Sequence, residues 1–419
     1  MEFEFAVFFG LIIAFAAVSA KVGRVAVTMP MVFVALGALT DAVGLIEFDI
    51  ETEGVALLGE ITLAVILFGD AVRIDIDALR RELGLPVRLL AIGLPLSVLL
   101  GAIGIALLLP SFGWWEAALV AAILAPTDAA LGQAVVEESS VPLRVRQGLN
   151  VESGLNDGMV VPAVTLFTAL ALGEAESEVS FWGRFVAQQV GLGLLIGLVL
   201  GVVGGLLVSR AVRTGWAEGI YAQLATLSVA LAAFAVAQTA EANGFIAAFV
   251  AGMAFGRVSG PTQADELDEY TEDTGRLLSM VAFFLFGNLF VLDALSATTV
   301  SVIACAALAL TVGRIVPVAV AMTGLRAAWP TTLFVGWFGP RGLASILFGL
   351  LLLEEEALAS AEELFAVIAW TVVASVFLHG ATAGAGARAY GRWYASMSDE
   401  EKDTMPEGVM VTEHRAVRR

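Results

Sequence analysis

The sequence predicts an all-α polytopic membrane protein with about 13 transmembrane helices. Of its 419 residues, 59% are hydrophobic and only 15% are charged, whereas a soluble domain has roughly a quarter of its residues charged. Apolar stretches long enough for a helix to cross a bilayer recur along the whole chain. Two of them are interrupted by helix-breaking residues beside charged ones, the first by proline and the second by proline and glycine.

The apolar stretches place the spans in order, and the ninth is shorter than the others. Spans five and twelve carry the interruptions. They lie seven spans apart, an odd number, so two six-span repeats (one to six and eight to thirteen) would be inverted relative to each other. Glycines in span seven are expected to allow close helix packing. The predicted spans are residues 3–20, 25–45, 54–72, 87–109, 115–136, 148–171, 183–208, 219–239, 243–257, 276–294, 299–323, 331–353 and 363–383.

The basic residues predict the orientation. Most of the 22 follow odd-numbered spans or lie in the C-terminal tail, and short cytoplasmic loops are enriched in Lys and Arg. We therefore expect a multi-pass protein of the cell membrane with its N-terminus outside and its C-terminus in the cytoplasm. Residues 1–387 would form the transmembrane domain and residues 388–419 a polar cytosolic tail. The acidic run from Asp265 to Asp273 is expected to be a solvated loop.

Charge composition restricts the partners. The net charge of −19 argues against nucleic acid. Arginine makes up 20 of the 22 basic residues, and together with acidic loops this bias suits a halophile, because concentrated salt screens self-repulsion. The single cysteine, Cys305, is expected to be a packing residue. His379 is expected to cap or pack rather than to sense pH, although its reference pKa near 6.5 would permit sensing.

Polar side chains inside spans five and six form the first candidate site. A charge in the bilayer core costs at least about 2.5–3.5 kcal/mol, so each one suggests a function. Asp128 follows Pro126 and Thr127 near the middle of span five. In span six, Glu152 and Asn156 lie four residues apart, as do Ser153 and Asp157, so these side chains share one helical stripe facing the protein interior. The candidate cation- and proton-binding residues are Thr127, Asp128, Ser153 and Asp157, and Glu152 and Asn156 are expected to be structural.

Span twelve carries the matching interruption. Three glycines and Pro340 lie within the seven residues from Gly336 to Gly342, with Arg341 among them. A broken backbone is tolerated at membrane depth only where it lines a cavity or is buried in protein. Two interrupted spans at corresponding places in two halves indicate a transporter's binding site.

These motifs resemble a known family. Thr127-Asp128, then Glu152-Ser153-x-x-Asn156-Asp157, then Gly-x-Arg-Gly around Arg341, are similar to the prokaryotic sodium/proton antiporters of the monovalent cation:proton antiporter-1 (NhaP-like) type, which are related to animal sodium/hydrogen exchangers. The resemblance implies thirteen helices and a homodimer. It also implies a core of about residues 87–171 and 299–383, with an interface or scaffold domain of about residues 3–72 and 183–294.

The chemistry of these residues agrees with antiport. Oxygen ligands suit a hard monovalent cation, and a buried carboxylate can exchange a proton for that cation. We expect Asp157 to be the main carboxylate for the proton and Na⁺, Asp128 its partner ligand, and Thr127 and Ser153 oxygen donors. Asn156 stands where electrogenic relatives carry a second aspartate, so the resemblance implies electroneutral exchange.

Two further charges require partners within the membrane. Glu152 is expected to pair with Arg341, since an uncompensated buried charge on either would be strongly destabilising. The sequence leaves two roles for Glu60 in span three and Arg314 in span eleven: a part in the ion path, or polar contacts between helices.

Other functions stay possible. The same fold could exchange K⁺ for protons, because oxygen ligands do not fix the size of the ion. A cation channel is a less favoured alternative. An intramembrane protease is disfavoured because no histidine or lysine in a nearby span could activate Ser153. The sequence therefore predicts a secondary transporter rather than an enzyme, without a cofactor, that acts on Na⁺ or Li⁺ and H⁺ within membrane lipid.

Overall fold

The structure is a computed structural model that describes residues 2–22, 27–46, 53–74, 84–173, 186–353 and 361–398. All regular elements in these ranges are helical. The helices are α1 Glu2–Val22, α2 Met29–Ala42, α3 Glu53–Val72, α4 Leu85–Leu108, α5 Trp114–Ile123, α6 Ala129–Val136, α7 Leu143–Ala171, α8 Gly193–Arg213, α9 Ile220–Thr239, α10 Gly244–Ser259, α11 Pro261–Ser296, α12 Val300–Leu310, α13 Val312–Met322, α14 Trp329–Trp337, α15 Leu343–Leu353 and α16 Ala361–Ala395.

Short π-helical turns modify two of the apolar segments. Residues Leu89–Gly93 form one inside α4, and residues Val186–Leu192 form another directly before α8. Among the described residues, seven helical segments are long and apolar enough to cross a membrane, and several shorter apolar helices accompany them. The prediction of an all-α polytopic membrane protein is confirmed.

Both predicted interruptions are present. Span five consists of α5 and α6, separated by the irregular residues 124–128, and span twelve consists of α14 and α15, separated by residues 338–342. Proline and glycine at these places deny the backbone regular helical hydrogen bonds, so each span becomes two half-helices.

A third interruption lies in span eleven, where the sequence predicted one continuous helix over 299–323. Helix α12 ends at Leu310, and α13 begins at Val312 after Thr311, whose φ of −116° and ψ of −92° are not helical. A Cβ on Gly313 would lie 2.9 Å from the carbonyl oxygen of Leu308. Glycine thus permits the tight bend that places Arg314 within the first turn of α13.

Some predicted boundaries and loops differ from the structure. The acidic run from Asp265 to Asp273, expected to be a loop, belongs to α11, and Arg73 at the end of α3 pairs there with Asp268 and Glu272. This charge pairing supports a helix in a polar segment. The last helix continues to Ala395, beyond residue 388 where the tail was expected to begin. Residues 399–419, and the acidic segments 49–52, 174–178 and 354–356, lie outside the described residues.

Glycines set the closest contacts between helices. A Cβ on Gly197 or Gly201 of α8 would lie within 2.5 Å of a carbonyl oxygen of α10. A Cβ on Gly37 of α2 would lie 2.1 Å from the carbonyl oxygen of Phe284 in α11. Only a residue without a side chain allows such a close approach. The packing role predicted for the glycines of span seven is therefore confirmed at Gly197 and Gly201.

Candidate ion-binding site

The two interrupted spans meet at their breaks. The backbone N–H of Asp128 donates a hydrogen bond to the carbonyl oxygen of Pro340 at 2.8 Å. A second contact joins the spans where the Ser345 hydroxyl donates to the carbonyl oxygen of Ile123 at 2.7 Å. Backbone N–H and C=O groups that lack a helical partner at the breaks thus form hydrogen bonds with the other span. Buried backbone polar groups need such partners.

Asp128 caps two half-helices at once. Its Oδ1 accepts a hydrogen bond from the N–H of Leu131 at 3.0 Å, at the start of α6, and its Oδ2 accepts one from the N–H of Leu343 at 2.7 Å, at the start of α15. The N-terminal ends of both half-helices carry partial positive charge, which stabilises a carboxylate. A Cβ on Gly342 would lie 2.1 Å from Oδ2, so glycine is required there.

Arg341 binds the C-terminal end of the half-helix α5. Its Nη1 donates to the carbonyl oxygen of Pro126 at 2.9 Å and also to that of Ala125, just beyond the C-terminal end of α5. A guanidinium suits this position because the carbonyl end of a helix carries partial negative charge. The predicted pairing of Glu152 with Arg341 is therefore wrong, since Arg341 is used by the break in span five.

Glu152 pairs with Arg314 instead. The Arg314 Nη1 and Nη2 atoms donate to Oε1 and Oε2 of Glu152 at 2.5 and 2.7 Å, and both side chains are almost fully buried. A bidentate ion pair of this kind compensates both charges at a place where neither side chain has access to water. The guanidinium also passes directly over Gly339, where a Cβ would lie 2.4 Å from Nε. Arg314, which the sequence left open, thus links span eleven to spans six and twelve.

Hydroxyl and amide groups connect span five to span six. The Thr127 and Ser153 hydroxyl oxygens lie 2.9 Å apart, and the Asn156 Nδ2 donates to the Thr127 Oγ1 at 2.7 Å. The Oδ1 of Asn156 is buried and forms no hydrogen bond among the described residues. These groups form a hydrogen-bonded cluster between spans five and six, at the residue before Asp128. Their part in ion binding stays a prediction.

Asp157 lies on α7, one helical turn after Ser153. Its side chain is 7% exposed, and its Oδ1 is buried without a hydrogen-bond partner in the part of the chain that the structure describes. The charges of Asp70 and Asp128 lie close enough to act on Asp157. An unpartnered oxygen of a buried carboxylate is costly, which makes it a natural place for a proton or a cation.

Asp70 is a residue that the sequence reasoning missed. It lies near the end of α3, and its Cβ is 3.9 Å from the Cβ position of Gly154 on α7, one turn before Asp157. As the last charged residue of an apolar span, it resembled an ordinary helix-end charge. The rule that charges within a span suggest a function could have identified it. Glu60, on the same helix, is half-buried.

The fold and the site define a multi-pass membrane protein built around two interrupted helices that meet at a buried acidic site, the arrangement of ion transporters. Residues 10–387 match the family described as "Sodium/hydrogen exchanger, transmembrane". The chain belongs to this family, as the motifs indicated.

Individual relatives carry related names. A protein of Shewanella oneidensis named K(+)/H(+) antiporter NhaP2 is 29% identical over 379 residues, which cover 87% of this chain and 63% of that protein. The K(+)/H(+) antiporter NhaP of Alkalimonas amylolytica is 26% identical over 336 residues, covering 78% of this chain and 56% of the relative. The chain therefore spans less than two thirds of the length of these relatives.

Solved structures share the fold. The structure of the sodium proton antiporter MjNhaP1 from Methanocaldococcus jannaschii at pH 8 superposes with a TM-score of 0.74 and 18% identity, covering 90% of this chain and 98% of the other. An electron-microscopy map of the same antiporter gives a TM-score of 0.75 at 18% identity, covering 95% and 100%. At this identity the likeness concerns the fold.

Proposed function

We propose that the protein is a secondary transporter that exchanges an alkali cation for protons at Asp157. The observation that carries this proposal is the buried, unpartnered Oδ1 of Asp157. Asp157 lies one helical turn after Ser153, whose hydroxyl contacts that of Thr127 at the break of span five. A hard monovalent cation prefers such oxygen ligands. Thr127, Ser153 and Asp128 would complete the ligand set.

Competition for one carboxylate would produce the coupling. When Asp157 holds a proton, its charge is neutralised and the cation has no counter-charge; when the cation binds, the proton leaves. An empty site would retain its negative charge, which is costly to move through a low-dielectric barrier. The site would therefore change its exposure from one face to the other only when occupied, and exchange follows.

Sodium is the first candidate ion, with Li⁺ as an alternative cargo, and electroneutral exchange follows if Asp157 titrates alone next to the uncharged Asn156. Potassium is the second candidate because two of the relatives are named K(+)/H(+) antiporters. The proposal includes a homodimer in the lipid of the cell membrane, with the N-terminus outside and the C-terminus in the cytoplasm.

The test uses the purified full chain in proteoliposomes that contain a pH-sensitive dye. Addition of Na⁺, Li⁺ or K⁺ in separate samples should cause proton movement in the wild type, and the ranking of the three ions decides between the two candidates. Asp157→Asn should abolish proton movement for every ion. The matched control is Asp293→Asn, which removes an exposed carboxylate at the end of α11.

Two results would overturn the proposal. Retained exchange in Asp157→Asn would remove this residue from its role. A cation current through the wild type without any proton movement would show a channel instead.

A further inference from the structure

His379 has a defined place beside the broken helix of span twelve. Its side chain is 1% exposed, on α16, one turn after Ser375. The Nδ1 atom lies 3.0 Å from the Ser375 Oγ. The same Oγ accepts a hydrogen bond from the backbone N–H of Arg341 at 2.6 Å. A chain of two hydrogen bonds thus connects the imidazole ring to the irregular backbone at residue 341.

The hydrogen bonds define the direction of this chain. Because the Ser375 Oγ already accepts from Arg341, its own hydrogen needs an acceptor, and the one found among the described residues is the Nδ1 of His379. Nδ1 also lies 3.1 Å from the carbonyl oxygen of Ser375, to which it would donate in the other tautomer, but that tautomer leaves the buried Ser375 hydroxyl hydrogen without an acceptor among the described residues. We therefore assign a neutral ring with its hydrogen on Nε2. The Nε2 atom forms no hydrogen bond among the described residues, and the ring packs on Trp337 with centroids 4.9 Å apart.

The backbone around residue 341 also contacts Asp128 in the candidate ion site. Residue 341 lies between Pro340, whose carbonyl oxygen accepts from Asp128, and Leu343, whose N–H donates to Asp128. A change in the position of the Arg341 amide therefore alters both contacts that hold Asp128 against span twelve. The ring does more than fill space, because its acceptor atom orients the hydroxyl that supports this amide.

We propose that His379 is a positioning residue for ion exchange, acting through Ser375 on the Arg341 amide and thereby on the placement of Asp128. This inference rests on the proposed function, because its readout is the apparent KM for the transported cation. It differs from a packing role in requiring a hydrogen-bond acceptor at the position of Nδ1.

Two amide variants separate the roles of the two ring nitrogens. His379→Asn places an amide oxygen at the position of Nδ1, whereas His379→Gln carries its amide one carbon further, at the position of Nε2. We expect Asn to restore a KM near that of the wild type, and Gln to raise KM about fivefold, the loss associated with one neutral hydrogen bond. Ser375→Ala should raise KM by a similar factor.

The double variant Ser375→Ala/His379→Gln should be no worse than either single variant, because both changes break the same chain. Thr371→Val is the matched control, since this buried hydroxyl donates to Val367 within its own helix. Equal KM values for the Asn and Gln variants, or multiplied effects in the double variant, would overturn the inference. If the histidine variants fail to insert, an unchanged KM in Ser375→Ala would overturn it, and a raised KM would support it.

Failure of the proposed function is distinguishable from failure of this inference. In the former case the wild type itself would show no cation-dependent proton movement. In the latter case the wild type would exchange ions normally while the variants failed to follow the expected order.

Discussion

Glu152 and Arg314, which lie 162 residues apart in the sequence, form a buried bidentate ion pair with N–O distances of 2.5 and 2.7 Å. The pair joins α7, which carries Asp157, to α13, directly after the break at Thr311. Because Arg314 also covers Gly339, the pair fixes three spans of the protein relative to one another. The pair thus holds the helix that carries the candidate ion site against two other spans.

Breaking this pair should destabilise the fold. Glu152→Leu strands a buried guanidinium, which costs about 3–5 kcal/mol, and we expect a lower apparent Tm in detergent. The double variant Glu152→Leu/Arg314→Met should recover stability, since replacing a buried pair by apolar side chains is often neutral. The control is Glu152→Leu/Arg341→Met, which should be less stable than Glu152→Leu alone. Recovery by the control pair instead would contradict the observed geometry.

Gly342 should not tolerate a side chain. In Gly342→Ala the new Cβ would lie 2.1 Å from the Asp128 Oδ2, so the cap on α15 must open. We expect loss of cation-dependent proton movement and a lower folded yield. Gly132→Ala in α6 is the control, because nothing lies within 4 Å of its Cβ position. Normal transport in Gly342→Ala would show that the double cap by Asp128 is dispensable.

Cation affinity and thermal stability should depend on the Thr127 hydroxyl and not on the Thr127 methyl group. Thr127→Val keeps the shape but leaves the Asn156 amide and the Ser153 hydroxyl without this partner, at a cost of about 1–3 kcal/mol. We expect a higher KM for the cation and a lower Tm. Thr127→Ser keeps the hydroxyl and should remain near the wild type. Similar behaviour of the two variants in transport and in thermal unfolding would remove the hydroxyl from the site.

Asp70 should strengthen cation binding without being the exchanging group. Its negative charge attracts a cation held at Asp157, and removing it in Asp70→Asn should raise the KM about fivefold to tenfold, a loss of about 1–1.4 kcal/mol. Maximal exchange should persist, in contrast to Asp157→Asn. Measurement of the initial rate against cation concentration separates the two effects, with Asp293→Asn as the exposed control. An unchanged KM would show that Asp70 does not interact with the bound ion.

Local sequence features predicted the half-helices of the site well. Pro126 in span five and the glycines around Pro340 in span twelve remove regular backbone hydrogen bonds whatever the surroundings are. The spacing of Ser153, Asn156 and Asp157 likewise fixes one face of a helix. The same reasoning missed the break at Thr311, because a single non-helical residue within an otherwise apolar span leaves a weak signal.

Partners between distant spans could not be predicted in the same way. Arg341 and Arg314 are both buried cations, and either could balance Glu152 by charge alone. The choice depends on how far each helix is rotated about its axis and on which break leaves carbonyl groups exposed. Asp70 differs, because its place within an apolar span was visible in the sequence, and only its closeness to Gly154 depends on the packing of α3 against α7.

Hydropathy, helix period and helix-breaking residues act locally, so the order of amino acids is enough to identify a helical membrane protein of the sodium/hydrogen exchanger family, with broken spans five and twelve and acidic residues near the breaks. The packed helices were needed to show that Asp128 caps two half-helices, that Arg341 binds the carbonyl end of a third, and that Glu152 binds Arg314. These contacts join backbone and side-chain groups of different spans, and their geometry exists only once the helices have packed.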